Sequence, residues 1–420
     1  MKNFTVFVLT FLFAGSTLCA ADNDWAVFHG SKGDNIAPDK GLLKKWAAEG
    51  PKLLWKGEKL GDAEFPGYSG AIIADNKIFI TGNNKNARSY VYALDENSGK
   101  IIWHYDNGAG YAGQFPGDRN TPTYDSGKVY ALSAMGSLVC LDAETGKEIW
   151  NHNVVTEYEV KLPTWAYAES PIVDGNKVVC FPSGKKAAAV AFDKTTGKEI
   201  WKTPGSDMLA GYATAVVFTH NGVKIYANVN QNGLLGVNAE TGEQLFYYEH
   251  KTKHDINATM PYYKDGKILI SSGYASGTEL LQFGTENGKI TLTPVWKQEK
   301  LDNQHGGLIV LDGYIYGSAH HYKRGVWMCV KWDDGSIVWE DRGAGQGSIT
   351  YADGMLYCLG ESEEGIFALV KATPEKYEEI SRFTLPEEGA GKFWAHPVVN
   401  NGKLYIRHAG FLYCYSLTAK

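Results

Sequence analysis

The amino-acid sequence predicts an all-β fold: an eight-bladed β-propeller whose blades are four-stranded antiparallel sheets. Three observations support this prediction. The hexapeptide "TGKEIW" stands at residues 145–150 and again at 196–201, and weaker copies recur along the chain. Eight tight-turn signals separate β-rich runs at a similar spacing. Helical periodicity is almost absent, and "TPEKYEE" at 373–379 is the best candidate for a turn or two of helix.

The two series of signals define one repeating unit. The glycines of the hexapeptide copies lie 45–51 residues apart, at positions 99, 146, 197, 242, 288 and 335. The hairpin signals are pairs of Asp, Asn, Ser or Gly residues at 75–76, 126–127, 174–175, 221–222, 265–266, 312–313, 353–354 and 401–402. A unit of about 47 residues that holds four strands is typical of a propeller blade.

The closure of the ring is also predicted. The last unit, from Trp394 onward, holds only three strand-like runs before the chain ends. The segment "PKLLWKG" at 51–57 supplies the missing strand, and its Trp55 takes the place of the hexapeptide Trp. Both ends of the propeller then meet in one blade, so that the ring has no free edge. We therefore expect a propeller over 51–420, with 22–50 as an N-terminal extension laid on its surface.

The first 21 residues are interpreted as a secretory signal peptide. A single Lys precedes an apolar run from Phe4 to Ala14, and small residues follow, with cleavage expected after Ala20 or Ala21. The alternative is lipid attachment at Cys19, which is disfavoured because Leu18 precedes it. No later stretch approaches the roughly 20 apolar residues of a membrane span. We expect export to the periplasm or the exterior, and a monomer.

Composition excludes some functions. The net charge is −6 and there is no basic block, so nucleic acid is not an expected partner. Five cysteines remain after the leader, each inside an apolar run, with no CxxC pair and no C-x-x-C-H haem motif. They are interpreted as small buried hydrophobic residues: Cys140, Cys180, Cys329, Cys358 and Cys414.

The hexapeptide itself is predicted to be structural. In "LDAETGKEIW", the carboxylate of Asp142 can accept backbone N–H bonds and Gly146 can supply a left-handed backbone. Trp150 then lies on the outer strand, where it can bury its ring against the next blade. The same device is expected for three further pairs: Asp95 with Trp103, Asp193 with Trp201, and Asp333 with Trp339. Metal ligation by these carboxylates is disfavoured, because they are spread evenly around a ring.

The segments "ALDENSGKIIW", "CLDAETGKEIW" and "AFDKTTGKEIW" resemble the tryptophan-docking repeats of the pyrroloquinoline quinone (PQQ)-like propeller family. The segment "DWAVFHGSKGDNIAP" resembles an N-terminal motif of exported members, with His29 where Arg is usual. The resemblance implies two classes of function. Quinoprotein alcohol dehydrogenases hold PQQ and Ca²⁺ on the axis, with a vicinal Cys–Cys disulfide and a Glu/Asn/Asp metal set; β-barrel-assembly scaffolds carry no cofactor. This sequence has no Cys-Cys pair, and its loops are short for a deep cofactor chamber.

Residues that differ between repeats define the candidate site. Counting back from each hairpin turn places polar and aromatic side chains at one height, near the amino-terminal ends of the innermost strands. They could hold a polar small molecule, a sugar or a metal, or they could pair with one another and plug the channel. By contrast, His320-His321 is expected to be a solvated loop without a carboxylate partner. The candidates are Tyr68, Arg119, Tyr167, Glu169, Tyr212, Asn257, His305, Trp394 and His396.

Two functions follow from the sequence. The first is an exported propeller that binds a protein or carbohydrate partner of the cell envelope through the funnel at its axis, without a cofactor. The alternative is an oxidoreductase, such as a quinoprotein-like alcohol or sugar dehydrogenase, or another enzyme using the axial pocket, with PQQ and Ca²⁺ as possible cofactors. No Ser/His/Asp or Cys/His order specifies a catalytic nucleophile, and no metal ligands are assigned.

Overall fold

The computed structural model describes residues 24–62, 67–254, 256–362, 364–386, 388–389 and 391–419. These residues form eight antiparallel sheets arranged as the blades of a propeller, so the predicted fold is confirmed. The expected signal peptide and Cys19 lie outside the described residues. In each blade, strand A is innermost, because it contacts strand A of neighbouring blades, and strand D is outermost.

Each blade contains four strands, which follow one another from A at the axis to D at the rim. Blades 1 to 4 comprise Ile72–Ala74, Lys77–Asn83, Arg88–Asp95 and Ile101–Ala109; Thr123–Asp125, Lys128–Leu132, Ser137–Asp142 and Glu148–Asn153; Ile172–Asp174, Lys177–Cys180, Val190–Asp193 and Glu199–Lys202; Val216–His220, Val223–Val229, Gly233–Asn238 and Gln244–Glu249. Blades 5 to 8 comprise Tyr262–Lys264, Lys267–Ser272, Gly277–Glu286 and Lys289–Gln298; Leu308–Leu311, Tyr314–Ala319, Val326–Lys331 and Ile337–Asp341; Gly347–Ala352, Met355–Gly360, Ile366–Lys371 and Glu379–Thr384; Val398–Asn400, Lys403–His408, Phe411–Ser416 and Leu53–Lys56.

Helices are short and few in the described part of the chain. An α-helix spans Val154–Glu157 and a 3₁₀-helix spans Tyr322–Arg324. The helical turn expected at 373–379 is wrong, because that segment is irregular until strand D of blade 7 begins at Glu379.

The N-terminal strand closes the ring as predicted. Leu53–Lys56 pairs antiparallel with Phe411–Ser416, with Trp55 opposite Cys414. Blade 8 therefore takes its outermost strand from the beginning of the chain and its other three strands from the end. This pairing covers an edge that would otherwise be exposed.

The hexapeptide tryptophans dock blade on blade. The indole Nε1–H of Trp150 donates to the backbone oxygen of Lys194 at 3.1 Å, and its ring covers Gly197. A Cβ at Gly197 would lie 2.9 Å from the indole, and the residue has φ +74. Indole-to-carbonyl bonds to the following blade recur at Trp55, Trp103, Trp201, Trp296 and Trp339. The predicted role of the repeat is therefore confirmed.

The carboxylates of the repeat stabilise its turn. Asp142 accepts from the backbone N–H of Thr145 at 2.8 Å and from its hydroxyl at 2.7 Å. In blade 6 the prediction named the wrong residue. There, Asp334 rather than Asp333 accepts hydrogen bonds from the backbone N–H and the hydroxyl of Ser336. Asp334 is the residue directly before Gly335 of this turn.

Hydroxyl side chains join the inner strands of adjacent blades. Gly70 N–H donates to Thr121 Oγ1, Thr121 N–H donates to Ser170 Oγ, and Ser170 N–H donates to Thr214 Oγ1, each at 3.0 Å. These bonds pass from blade 1 to blade 4 at one level. They hold the amino-terminal ends of the inner strands at a common height.

The first part of the N-terminal extension, residues 25–37, lies at the axis, and residues 38–50 continue along blades 7 and 8. Backbone bonds tie Trp25 to blade 1 and Ala26 to blade 2, and Ile36–Ala37 pairs parallel with strand A of blade 7. Trp25 is 4% exposed and His29 is 6% exposed. The expectation that the extension lies on the surface is therefore wrong for residues 25–37, which cross the channel and occupy backbone groups that the inner strands leave unpaired. Most of residues 38–50 are exposed, as that expectation requires.

Candidate functional site

An axial cavity of about 350 Å³ opens at the amino-terminal ends of the inner strands. Six of the nine predicted residues line this axial cavity: Tyr68, Arg119, Tyr212, His305, Trp394 and His396. The lining also includes residues that the sequence analysis did not select: Phe28, Phe115, Trp165, Tyr274, Gln304, His320, Glu361 and Lys392. The lining is therefore rich in aromatic rings, and it also carries several charged and polar side chains.

The other three predicted residues point away from the axial cavity. The Tyr167 hydroxyl donates to Pro182 O at 2.8 Å. Both carboxylate oxygens of Glu169 lie 3.0 Å from the Phe181 N–H, and burial raises the pKa of Glu169 to about 8. Asn257 donates to Asn230 O at 2.7 Å. These side chains fasten inner strands to their neighbours.

Their orientation agrees with the alternation of side chains along an extended backbone, which here precedes strand A. In blade 3, Ala168 faces the axial cavity, so that Tyr167 and Glu169 on either side of it face the protein interior. Ala166, just before them, has a left-handed backbone with φ 59. The lining residue Ala168 stands one residue nearer to its hairpin turn than Arg119 does in blade 2. Asn257 likewise stands between two lining residues, Ile256 and Ala258.

Arg119 lines the axial cavity, and hydrogen bonds to backbone oxygens fix its guanidinium group. Its Nη2 donates to Phe115 O at 2.7 Å, and its Nη1 donates to Gly117 O and Trp165 O, both at 3.3 Å. The rings of Tyr68 and Tyr111 lie 5.4 Å from the guanidinium carbon, a cation–π distance. Burial lowers the pKa of Arg119, but an arginine stays protonated in proteins. The side chain is therefore a fixed positive charge.

Glu361 lies at the centre of a second polar group. Its Oε2 accepts from Trp394 Nε1 at 3.2 Å and lies 3.5 Å from His305 Nε2, and its Oε1 accepts from the amide of Gln346. Burial raises the pKa of Glu361, and burial lowers the pKa of His305 to about 3, so that His305 is neutral at pH 7. Glu361 follows strand B of blade 7, a position that the repeat spacing does not mark.

His320 also reaches the axial cavity, contrary to the expectation of a solvated loop. The buried carboxylate of Asp302 accepts from the backbone N–H groups of His320, His321 and Ala275 at 2.8–3.0 Å. This turns the loop inward and sets the His320 ring edge-to-face with Tyr274 at 4.8 Å. Burial lowers the pKa of His320, while the nearby carboxylates oppose that shift.

The N-terminal extension forms the floor of the axial cavity. His396 Nε2 lies 2.8 Å from His305 O, which can only accept, so that Nε2 carries the proton. His396 Nδ1 then accepts from His29 Nε2 at 3.1 Å. Phe28 stacks on His29 with ring centroids 3.9 Å apart and lines the cavity. Burial lowers the pKa of His396 to about 4, so that the floor is uncharged at pH 7.

The repeats of the propeller match a known protein family. Residues 87–341, more than half of the chain, match the profile of a family of PQQ-like repeats. This family is described as outer membrane protein assembly factor BamB. The chain belongs to this PQQ-like β-propeller family.

A sequence relative is quinohemoprotein alcohol dehydrogenase ADH-IIG from Pseudomonas putida, 31% identical over 150 residues, which are 33% of this chain and 20% of the relative. Among solved structures, BamB from Moraxella catarrhalis has a TM-score of 0.58 at 15% identity, and the match covers 84% of this chain and 95% of BamB. Quinohemoprotein alcohol dehydrogenase from Comamonas testosteroni has a TM-score of 0.64 at 12% identity. This match covers 95% of this chain and 81% of the dehydrogenase chain. At these identities the structural likeness shows the fold alone.

The side chains of the axial cavity do not fit the PQQ–calcium pair of the dehydrogenases. Calcium takes six to eight oxygen ligands, several from carboxylates. The described lining offers one carboxylate, Glu361, whose oxygens already accept from Gln346 and Trp394. Within the described ranges, no group of three His, Cys, Asp or Glu side chains could hold a metal ion. The five described cysteines are free and buried, as expected.

Proposed function

We propose that this protein is an exported, non-catalytic binding protein whose axial cavity holds a short saccharide. The observation that carries the proposal is the composition of the cavity wall. Seven aromatic residues line a volume of about 350 Å³, together with Arg119, Gln304, Glu361 and Lys392. Cavities of this size, with apolar walls and few polar groups, are typical of small-molecule sites.

A saccharide matches both kinds of wall. The C–H faces of a sugar ring pack against aromatic faces, where weak C–H contacts add to apolar burial. Its hydroxyl groups both donate and accept, so that they can bond to an arginine, an amide and a carboxylate at the same time. The rings of Tyr68 and Trp394 lie 4.7 Å apart, with Phe115 5.0 Å from Trp394, and they form one continuous aromatic face.

The same lining argues against sugar hydrolysis. Glycoside hydrolases generally use two carboxyl groups on opposite sides of the bond that is cleaved. Among the described lining residues, Glu361 is the single carboxylate, and Trp394 and Gln346 hold it. Binding without turnover therefore agrees best with the chemistry of these side chains.

Export is part of the proposal, and the leader over 1–21 motivates it. Across the described residues, no helix has the length and apolar character needed to span a bilayer. N-terminal sequencing of the secreted protein tests this part. A mature chain that begins at residue 21 or 22 supports a cleaved leader, and an intact Met1 in the cytosolic fraction contradicts it.

The binding proposal is tested by calorimetric titration of the purified protein with a panel of short neutral and acidic oligosaccharides. We expect at least one saccharide to bind with one-to-one stoichiometry, and Trp394→Ala to abolish its binding. Tyr247→Ala, which removes a 36% exposed ring from strand D of blade 4, is the matched control and should bind normally. The proposal fails if no saccharide binds, or if Trp394→Ala binds as well as the unaltered protein.

A second candidate is a scaffold for another envelope protein, which the BamB description of the family favours. In this case the partner would cover the mouth of the axial cavity. Cross-linking from a photoreactive group placed at Lys392 in living cells would trap that partner. A discrete cross-linked protein whose yield is unchanged by free saccharide would favour the scaffold over the saccharide receptor.

A further inference from the structure

We infer that the axial cavity selects an anionic saccharide, and that Arg119 recognises a carboxylate of the uronic-acid type. This inference rests on the proposed binding function and adds the charge of the ligand to it. Arg119 lines the cavity, and the protein groups around it leave both its charge and part of its hydrogen-bonding capacity available for a ligand.

The hydrogen bonds of Arg119 leave one side of the guanidinium open. Its three bonds to backbone oxygens run from Nη1 and Nη2, two from Nη1 and one from Nη2. Among the described residues, Nε–H and the second Nη2–H have no such acceptor. Nε and Nη2 form the side of an arginine that a carboxylate binds with two parallel hydrogen bonds. A neutral hydroxyl group can satisfy only part of that pattern.

The local charge also favours an anion. Among the described residues, Asp118 is the one carboxylate whose charge acts on Arg119. Asp118 is fully buried and accepts from Ser89 and from the N–H of Ala134. Arg119 therefore forms no ion pair with a carboxylate among the described residues, and its positive charge is available to a ligand.

The remaining lining does not cancel this charge. Glu361 is bound by Trp394 and Gln346 in blades 8 and 7, while Arg119 lies in blade 2. A positive group in a cavity walled by aromatic rings is screened less than one on the surface, so that its preference for an anion is strong.

The guanidinium is also held in place before the ligand arrives. Three carbonyl oxygens and the two tyrosine rings at 5.4 Å restrict its movement. Ordering a flexible arginine on binding would cost free energy, and this arrangement removes most of that cost. A planar anionic group therefore binds more tightly to this fixed guanidinium than it would to a mobile one.

The experiment compares oligomers of glucuronate, galacturonate and mannuronate with their methyl esters, which keep the shape and lose the charge. Sulphated oligosaccharides form a third arm. We expect a uronate to bind at least about tenfold more tightly than its ester, as loss of a charged hydrogen bond implies. Arg119→Gln should remove the difference, and Arg119→Lys should retain a part of it. Arg382→Gln, on strand D of blade 7, makes the same change of charge and should leave the difference intact.

Each outcome decides between the proposals. If esters bind as tightly as the acids, the inference is wrong while the saccharide function stands. If sulphated oligomers bind better than uronates, the anion is a sulphate ester and not a carboxylate. If no oligomer binds, charged or neutral, the proposed function falls together with the inference. Thermal unfolding of Arg119→Gln and Arg119→Lys checks that lost binding reflects the cavity and not an unfolded protein.

Discussion

Replacement of Trp150 by Ala tests how the blades are held together. The indole is 7% exposed and packs near Tyr130 and Phe192, and its Nε1–H satisfies the Lys194 carbonyl. Deleting a buried Trp costs about 3–5 kcal/mol, and leaving a carbonyl without its donor contributes to that total. We expect the free energy of unfolding to fall by about 4 kcal/mol. Trp150→Phe keeps most of the ring and should cost about 1–2 kcal/mol.

Urea unfolding followed by circular dichroism measures this loss, with the midpoint and the slope reported separately. Ile149→Ala is the matched control, because Ile149 is the preceding residue, faces outward and is 43% exposed, so that its loss should cost about 0.5 kcal/mol. Ligand affinity should be unchanged in both variants, since neither residue reaches the axial cavity. Equal losses for Trp150→Ala and Ile149→Ala would refute the docking role of the indole.

A glycine, a histidine pair and a buried aspartate provide three further tests. Gly197→Ala should destabilise the protein more than Gly175→Ala in urea unfolding, because both have positive φ but only Gly197 has an indole 2.9 Å from the added Cβ; equal losses would contradict this. Burial lowers the pKa of His396 to about 4 and that of His29 also, so that the unfolded chain binds more protons than the folded one between about pH 6.5 and pH 4. Stability should therefore be highest above about pH 6.5 and fall as the pH drops through this window, by about 3 kcal/mol from His396 alone, with a smaller slope in His29→Gln. Asp302→Asn should weaken saccharide binding in calorimetry, because it loosens the loop that carries a lining histidine; unchanged affinity would show that the loop is held in another way.

The propeller ring could be predicted because the sequence signals that specify it are local. The hairpin signals, the glycines of the hexapeptide and the docking tryptophans each act within one blade or on the next blade. Repetition then multiplies a weak local signal eight times, and the spacing reveals the number of blades. The closing strand at 53–56 was predictable for the same reason, since one blade lacked its outer strand.

The axial cavity was predictable only in part. Counting back from the hairpin turns identifies lining residues that precede strand A, such as Arg119 and Trp394. This counting works where the lining residues of different blades stand at the same distance from the turn. It fails in blade 3, where Ala168 lines the axial cavity and Glu169 instead accepts from the N–H of Phe181. It also misses Glu361, which enters from a loop after strand B at no fixed distance from the turn.

The sequence by itself determined the architecture: eight blades, their order and their closure. It could do so because each blade is encoded by its own residues and those of its neighbour. The tertiary structure alone decided which of the candidate side chains meet at the axis and which other residues join them. Those side chains come from separate blades and from an extension whose His29 bonds to His396, far away along the chain. Their approach depends on the diameter and phase of the whole ring, and no local pattern records either quantity.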